Sequence, residues 1–183
     1  PHSKWKRCNM GGFKPHDPIF DGGGGNGIAD YNDTSTTTTP VTLVSGTWTT
    51  VPNNGAGSFT NLSYLPAGVT SLMDTSTGAF DVSELTLGDA VYIRNDFTVT
   101  PLTNNTLLEL RYQLGTGGGS YTLEKIVSRL DSGSGIPYRF SLEPDLIYMG
   151  DANTKNNPIV LQVKLSGNGS LVNAGSAISV VAR

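Results

Sequence analysis

A chain of 183 residues, 37% hydrophobic and 15% charged, is one domain on size and long enough to bury about 70% of its unfolded surface. A formal charge of −3 argues against a general nucleic-acid binder, and no stretch approaches the roughly eighteen apolar residues of a membrane span. The single cysteine, Cys8, excludes an intrachain disulfide, so stability has to come from a core or from assembly.

The first forty residues read as an extended arm. Residues 1–16 hold Lys4, Lys6, Arg7 and Lys14 without an acid; residues 17–33 hold Asp17, Asp21, Asp30 and Asp33 without a base. Trp5, Phe13, Ile19 and Phe20 follow neither a helical nor a strand period, and Pro15 and Pro18 favour an extended path. Gly22–Gly25 and Thr34–Thr39 then read as a flexible tether. Such an arm cannot bury its own aromatics, which predicts a partner surface. Lys4, Trp5, Lys6, Arg7, Phe13, Ile19 and Phe20 are the expected anchors, on an acidic protein surface rather than on nucleic acid, for which four cations are a small footprint. The first twenty residues lack an apolar run, so synthesis in a reducing cytoplasm is expected, with the sequons at Asn32, Asn61, Asn104 and Asn168 left bare.

Strand patterns begin at Val41. Residues 41–51 alternate up to Gly46, a predicted bulge or bend, and resume through Trp48. Pro52–Gly55 is a turn, and strands are predicted over 58–65, 68–74 and 79–85. The clearest alternation runs from Asp89 to Leu114. Val91, Ile93, Phe97 and Val99 oppose Tyr92, Arg94, Asp96 and Thr98, and Leu108, Leu110, Tyr112 and Leu114 oppose Glu109, Arg111 and Gln113. Pro101–Asn105 between them is turn chemistry, predicting two neighbouring strands. Further strands are expected over 121–130, over 136–149 with a break at Pro144, over 157–166 and over 176–183. Eight to ten strands with regular turns predict an all-β protein: an antiparallel β-sandwich, a jelly roll over residues 41–183, preceded by the arm of residues 1–40. Val91, Ile93, Phe97, Leu108, Leu110, Leu161, Val163, Ile178 and Val180 are the predicted core.

Catalytic chemistry finds little footing. Both histidines, His2 and His16, lie in the arm, so a Ser-His-Asp triad inside the domain is excluded. Cys8 with a histidine is a weak metal set, and the Gly/Asp run of residues 17–33 does not keep a calcium-loop spacing. Glu143 and Asp145 flank Pro144 and read as a solvated strand end rather than a hydrolytic pair. No catalytic, cofactor-binding or metal-binding residue is expected, and no cofactor.

An arm ahead of a Thr/Gly/Asn-rich sandwich, with the segment LTLGDAVYIRNDFTVTPLTNNTLLELRYQLG (85–115), resembles the trimeric structural proteins of tailed bacteriophages. The nearest are capsid decoration (cement) proteins and head- or tail-fibre domains with a tumour-necrosis-factor- or C1q-like jelly roll. The resemblance is one of sequence style, without a motif from which single functional residues carry over. It implies a homotrimer with Tyr and aliphatic side chains of one sheet around the threefold, residing in the virion and bound to the major capsid protein or another virion protein. The alternative is a receptor- or carbohydrate-binding fibre domain, which predicts Trp48 and tyrosines gathered in a surface groove.

Overall fold

Alternation decides which side chains meet. In the computed structural model, which describes residues 25–183, the strands are β1 (Gly27–Asn32), β2 (Val41–Leu43), β3 (Thr49–Thr50), β4 (Asn61–Tyr64), β5 (Met73–Asp74), β6 (Ala79–Phe80), β7 (Ala90–Pro101), β8 (Thr106–Leu114), β9 (Tyr121–Leu130), β10 (Tyr138–Ser141), β11 (Asp145–Tyr148), β12 (Val160–Leu165) and β13 (Gly169–Val181). Two α-helical turns, α1 (Ser35–Thr38) and α2 (Ala152–Asn156), and a 3-10 turn at Gly117–Gly119 sit between strands. The larger sheet runs β10-β7-β13-β1-β4, with β11 also on β7 and β2 also on β13. The smaller runs β3-β12-β8-β9, and β5 pairs with β6 alone. The architecture is an all-β antiparallel sandwich of jelly-roll type, as the pattern of short strands predicts.

The core lies between the two sheets. Val91, Ile93, Phe97 and Val99 of β7 and Leu108, Leu110, Tyr112 and Leu114 of β8 are all buried, as are Leu161, Val163, Ile178 and Val180. β13 lies between β7 and β1, so the last strand is a central one.

The neighbouring relation expected for the two long strands is not found. β7 pairs with β10, β11 and β13, while β8 pairs with β9 and β12. Residues 102–105, with Asn105 at φ 63°, carry the chain across the core from one sheet to the other. A turn signal specifies reversal but not its plane. Placed on opposite sheets, the two strands bury their apolar rows against each other.

The domain also starts earlier than Val41. GIADYN of β1 alternates Ala29 and Tyr31, both buried, against Ile28, Asp30 and Asn32. Flanking glycines and threonines hide so short a strand when composition is averaged over forty residues. Asp33 then fastens the chain. It accepts from the backbone N–H groups of Thr36 (2.8 Å) and Asn54 (3.0 Å) and from the hydroxyls of Thr36 (2.6 Å) and Ser35 (2.7 Å). The Thr36 hydroxyl in turn accepts from the Asn173 N–H at 2.8 Å on β13. Residues 27–38 therefore belong to the sandwich.

Other elements are shorter than expected. Gly46, at φ 70°, divides residues 41–51 into β2 on the large sheet and β3 on the small one. The stretches 58–65, 68–74 and 79–85 reduce to β4, β5 and β6. β9 forms as predicted, and the chain around Pro144 separates β10 from β11. The α2 turn was not foreseen; Asp151 caps it by accepting from the Thr154 N–H.

Candidate functional site

The expected anchors Lys4, Trp5, Lys6, Arg7, Phe13, Ile19 and Phe20 lie outside the described residues. So do Cys8, His2 and His16.

Within the described residues the outer face of the large sheet stands out. Strand register lays Leu146 beside Tyr92, Tyr92 beside Ser179, Ser179 beside Ile28 and Ile28 beside Tyr64, one row across five strands. The next row adds Tyr148, Ala90 and Val181. These side chains point away from the core because their neighbours in each strand point into it. Phe59, in the loop before β4, is 82% exposed; Tyr64 is 65%, Tyr148 58% and Leu146 52% exposed. With Tyr92, Ile28 and Val181 they place seven exposed aromatic and aliphatic side chains on one face, a feature that marks interaction surfaces. Phe59 and Tyr64 flank a groove of about 380 Å³ floored by Ile28, Asp30 and Asn61.

A polar island interrupts this face. Arg94 Nη2 and Nε lie 3.0 and 3.2 Å from Asp96 Oδ2, and Asn32 Nδ2 donates to Asp30 Oδ1 at 3.1 Å. Gly175, between Asn32 and Asp96 in register, has φ 142°, and a Cβ there would run into the Tyr31 carbonyl. Asn32 Oδ1 and Asp96 Oδ1 are buried acceptors without a donor. Burial raises the Asp30 carboxyl above its ordinary range; Arg94 opposes this and Asp96 reinforces it.

The outer face of the small sheet is finished differently. Lys164 Nζ lies 2.9 Å from Glu109 and Arg111 Nη1 3.4 Å from Glu124. Trp48 lies over both cations, its ring centre 4.3 Å from the Arg111 guanidinium carbon and 4.6 Å from Lys164 Nζ. Trp48 is therefore across the sandwich from Tyr64, Tyr92 and Tyr148.

A buried polar chain links the sheets. Ser176 Oγ donates to Asn95 Oδ1 (2.7 Å), Asn95 Nδ2 to the Tyr112 hydroxyl (2.6 Å), and that hydroxyl to Asp145 Oδ2 (3.1 Å). Lys125 Nζ closes it at 2.7 and 2.6 Å from the two Asp145 oxygens. Burial, then the Asp145 charge, pushes the Tyr112 phenol far up, so it stays protonated and can donate. Asp145 is thus committed to Lys125 and Tyr112 and is not the solvated strand end that its place beside Pro144 predicts. Asn95 occupies an inward position of β7 that apolar alternation passes over, and no sequence signal names its partners. Among the described residues no group of three or more His, Cys, Asp or Glu is placed to hold a metal ion, and no helix is long and apolar enough to cross a membrane.

No protein-family model matches the sequence, and no curated protein matches it.

Proposed function

We propose that this chain is a virion structural subunit, a capsid decoration protein that assembles as a homotrimer and is held on the particle by its N-terminal arm. The observation that carries the reading is the apolar outer face of the large sheet. Its exposed aromatics and aliphatics run across five hydrogen-bonded strands, the broad apolar face that an interface uses. Water contact over such a patch is costly, at about 25 cal/mol per Å² of apolar surface. Further copies of this chain are the occupants that match it, because each brings the same tyrosines and aliphatics; a threefold ring closes when one part of the face meets a different part of its neighbour's.

In this reading Trp5, Phe13, Ile19 and Phe20 enter pockets on the major capsid protein, or another virion protein, while Lys4, Lys6 and Arg7 steer the approach. Three arms on one trimer turn modest single-arm affinity into durable attachment. Light scattering on the full chain at micromolar concentration should give three times the chain mass; a monomer there sinks the reading. Deleting residues 2–21 should leave that trimer intact while abolishing particle binding.

A receptor- or carbohydrate-binding fibre domain is the second reading. It is favoured by the groove between Phe59 and Tyr64, where aromatic faces stand beside Asp30 and Asn61. It is disfavoured by Trp48, which its own sheet occupies with Arg111 and Lys164. Saccharide binding that is lost in Phe59→Ala, with assembly unchanged, would put it ahead.

A further inference from the structure

We propose that assembly is gated by protons, and that Asp30, in the polar island of the large-sheet face, is the group whose protonation closes that face against neighbouring copies. The inference rests on the self-association read above and names its regulation.

The argument begins from an imbalance. Asp30 and Asp96 share one guanidinium, Arg94, and Arg94 makes both of its contacts to Asp96. The strands beside Asp30 contribute Ala177 of β13 and Asn61 of β4, neither of them charged. The charged groups that face it from the rest of the sheet are Arg94 and Asp96 of β7; the phenols of Tyr64 and Tyr92 stand in the adjoining row. The island therefore carries one surplus negative charge in the middle of an apolar patch. It also holds two buried acceptor oxygens, on Asn32 and Asp96, with no donor.

While the face is open, water solvates the surplus charge. A second copy laid over it removes that water, and an uncompensated carboxylate in an apolar interface is expensive. A protonated Asp30 cancels the surplus and brings an O–H donor into a cluster short of donors. The assembled state then binds more protons than the free subunits, so association tightens as pH falls. Burial against its own sheet already holds the Asp30 carboxyl above its ordinary value, and a covering copy acts in the same direction.

The test is sedimentation of the full chain over a concentration series at about pH 5 and about pH 7.5, a window in which His2 and His16 also titrate. The comparison with Asp30→Asn removes that ambiguity. Wild type should assemble at least about tenfold more tightly at the lower pH, the change expected per pH unit for one proton taken up. Asp30→Asn should assemble with the acid-state strength at both pH values while keeping the wild-type circular-dichroism spectrum. Asp96→Asn frees Arg94 for Asp30 and should move the wild-type transition to lower pH. Equal wild-type assembly at both pH values, or an Asp30→Asn variant that keeps the wild-type slope, overturns the gating. If neither protein assembles at any pH, the self-association reading itself falls, and the gating with it.

Discussion

The two outer faces of this sandwich are built from the same alternation and end in opposite states. On the small sheet Lys164 and Arg111 each meet a carboxylate, and Trp48 packs against both cations. On the large sheet the outward positions include Ile28, Tyr64, Tyr92, Leu146 and Tyr148, and Asp30 shares its neighbouring cation, Arg94, with Asp96. One face sets an aromatic ring among paired charges; the other leaves a row of aromatics and aliphatics open. Total composition conceals this, because a net charge of −3 and an ordinary hydrophobic fraction average the two faces together.

The deepest cut is to the core that both faces share. Leu110→Ala should cost about 2–5 kcal/mol, read as a lower denaturation midpoint. If Leu110→Ala melts like wild type, the register that sorts side chains into inner and outer rows is wrong. Next comes the contrast itself. Tyr92→Arg should weaken assembly at least about a hundredfold, near 3 kcal/mol, without lowering the monomer's stability. The matching change on the other face, Lys164→Leu, should leave assembly where it was. Equal effects in the two variants would erase the distinction between the faces.

A smaller effect separates two aspartates three residues apart, one within β1 and one just past its end. Hydrogen bonds from Thr36, Ser35 and Asn54 outweigh burial and hold the Asp33 carboxyl below its ordinary value. Its contribution to stability is complete above the ordinary carboxylate range and is lost as pH falls through the lowered value. Asp30 has the opposite sign: its raised carboxyl costs stability as pH climbs past the ordinary range. Asp33→Asn should cost about 1–3 kcal/mol at neutral pH and less in acid, whereas Asp30→Asn should not destabilise at neutral pH. Thermal melts at both pH values decide the pair. The smallest change is Trp48→Ala, worth about 1–2 kcal/mol through two lost cation contacts, with assembly unaffected.

Much of the fold was legible because period-2 alternation is a direct image of burial. Val91, Ile93, Leu108 and Leu110 could be assigned inward from spacing alone, and they are. What spacing cannot carry is the partner of each strand. The turn after Pro101 looks the same in sequence whether it joins neighbours or crosses the core. β1 was lost for a related reason, since Gly27–Asn32 holds only two inward side chains in a glycine- and threonine-rich stretch. The apolar face could be anticipated as tyrosines and aliphatics of one sheet, but its members are Ile28, Tyr64, Tyr92, Leu146 and Tyr148, drawn from strands far apart in the chain. Only register brings them onto two adjoining rows of one face. The polar island was out of reach, because Asn32 and Asp96 meet across a glycine of a third strand.

The placement of β13 has a consequence for synthesis. Its residues 169–181 complete the pairing of β7, β1 and β2 together. While the chain is still on the ribosome, β1 therefore waits for a partner more than a hundred residues away in sequence. The large sheet cannot zip up segment by segment, and contacts of such range make folding slow, on a scale of milliseconds to seconds. The apolar face is defined only once that last pairing is made.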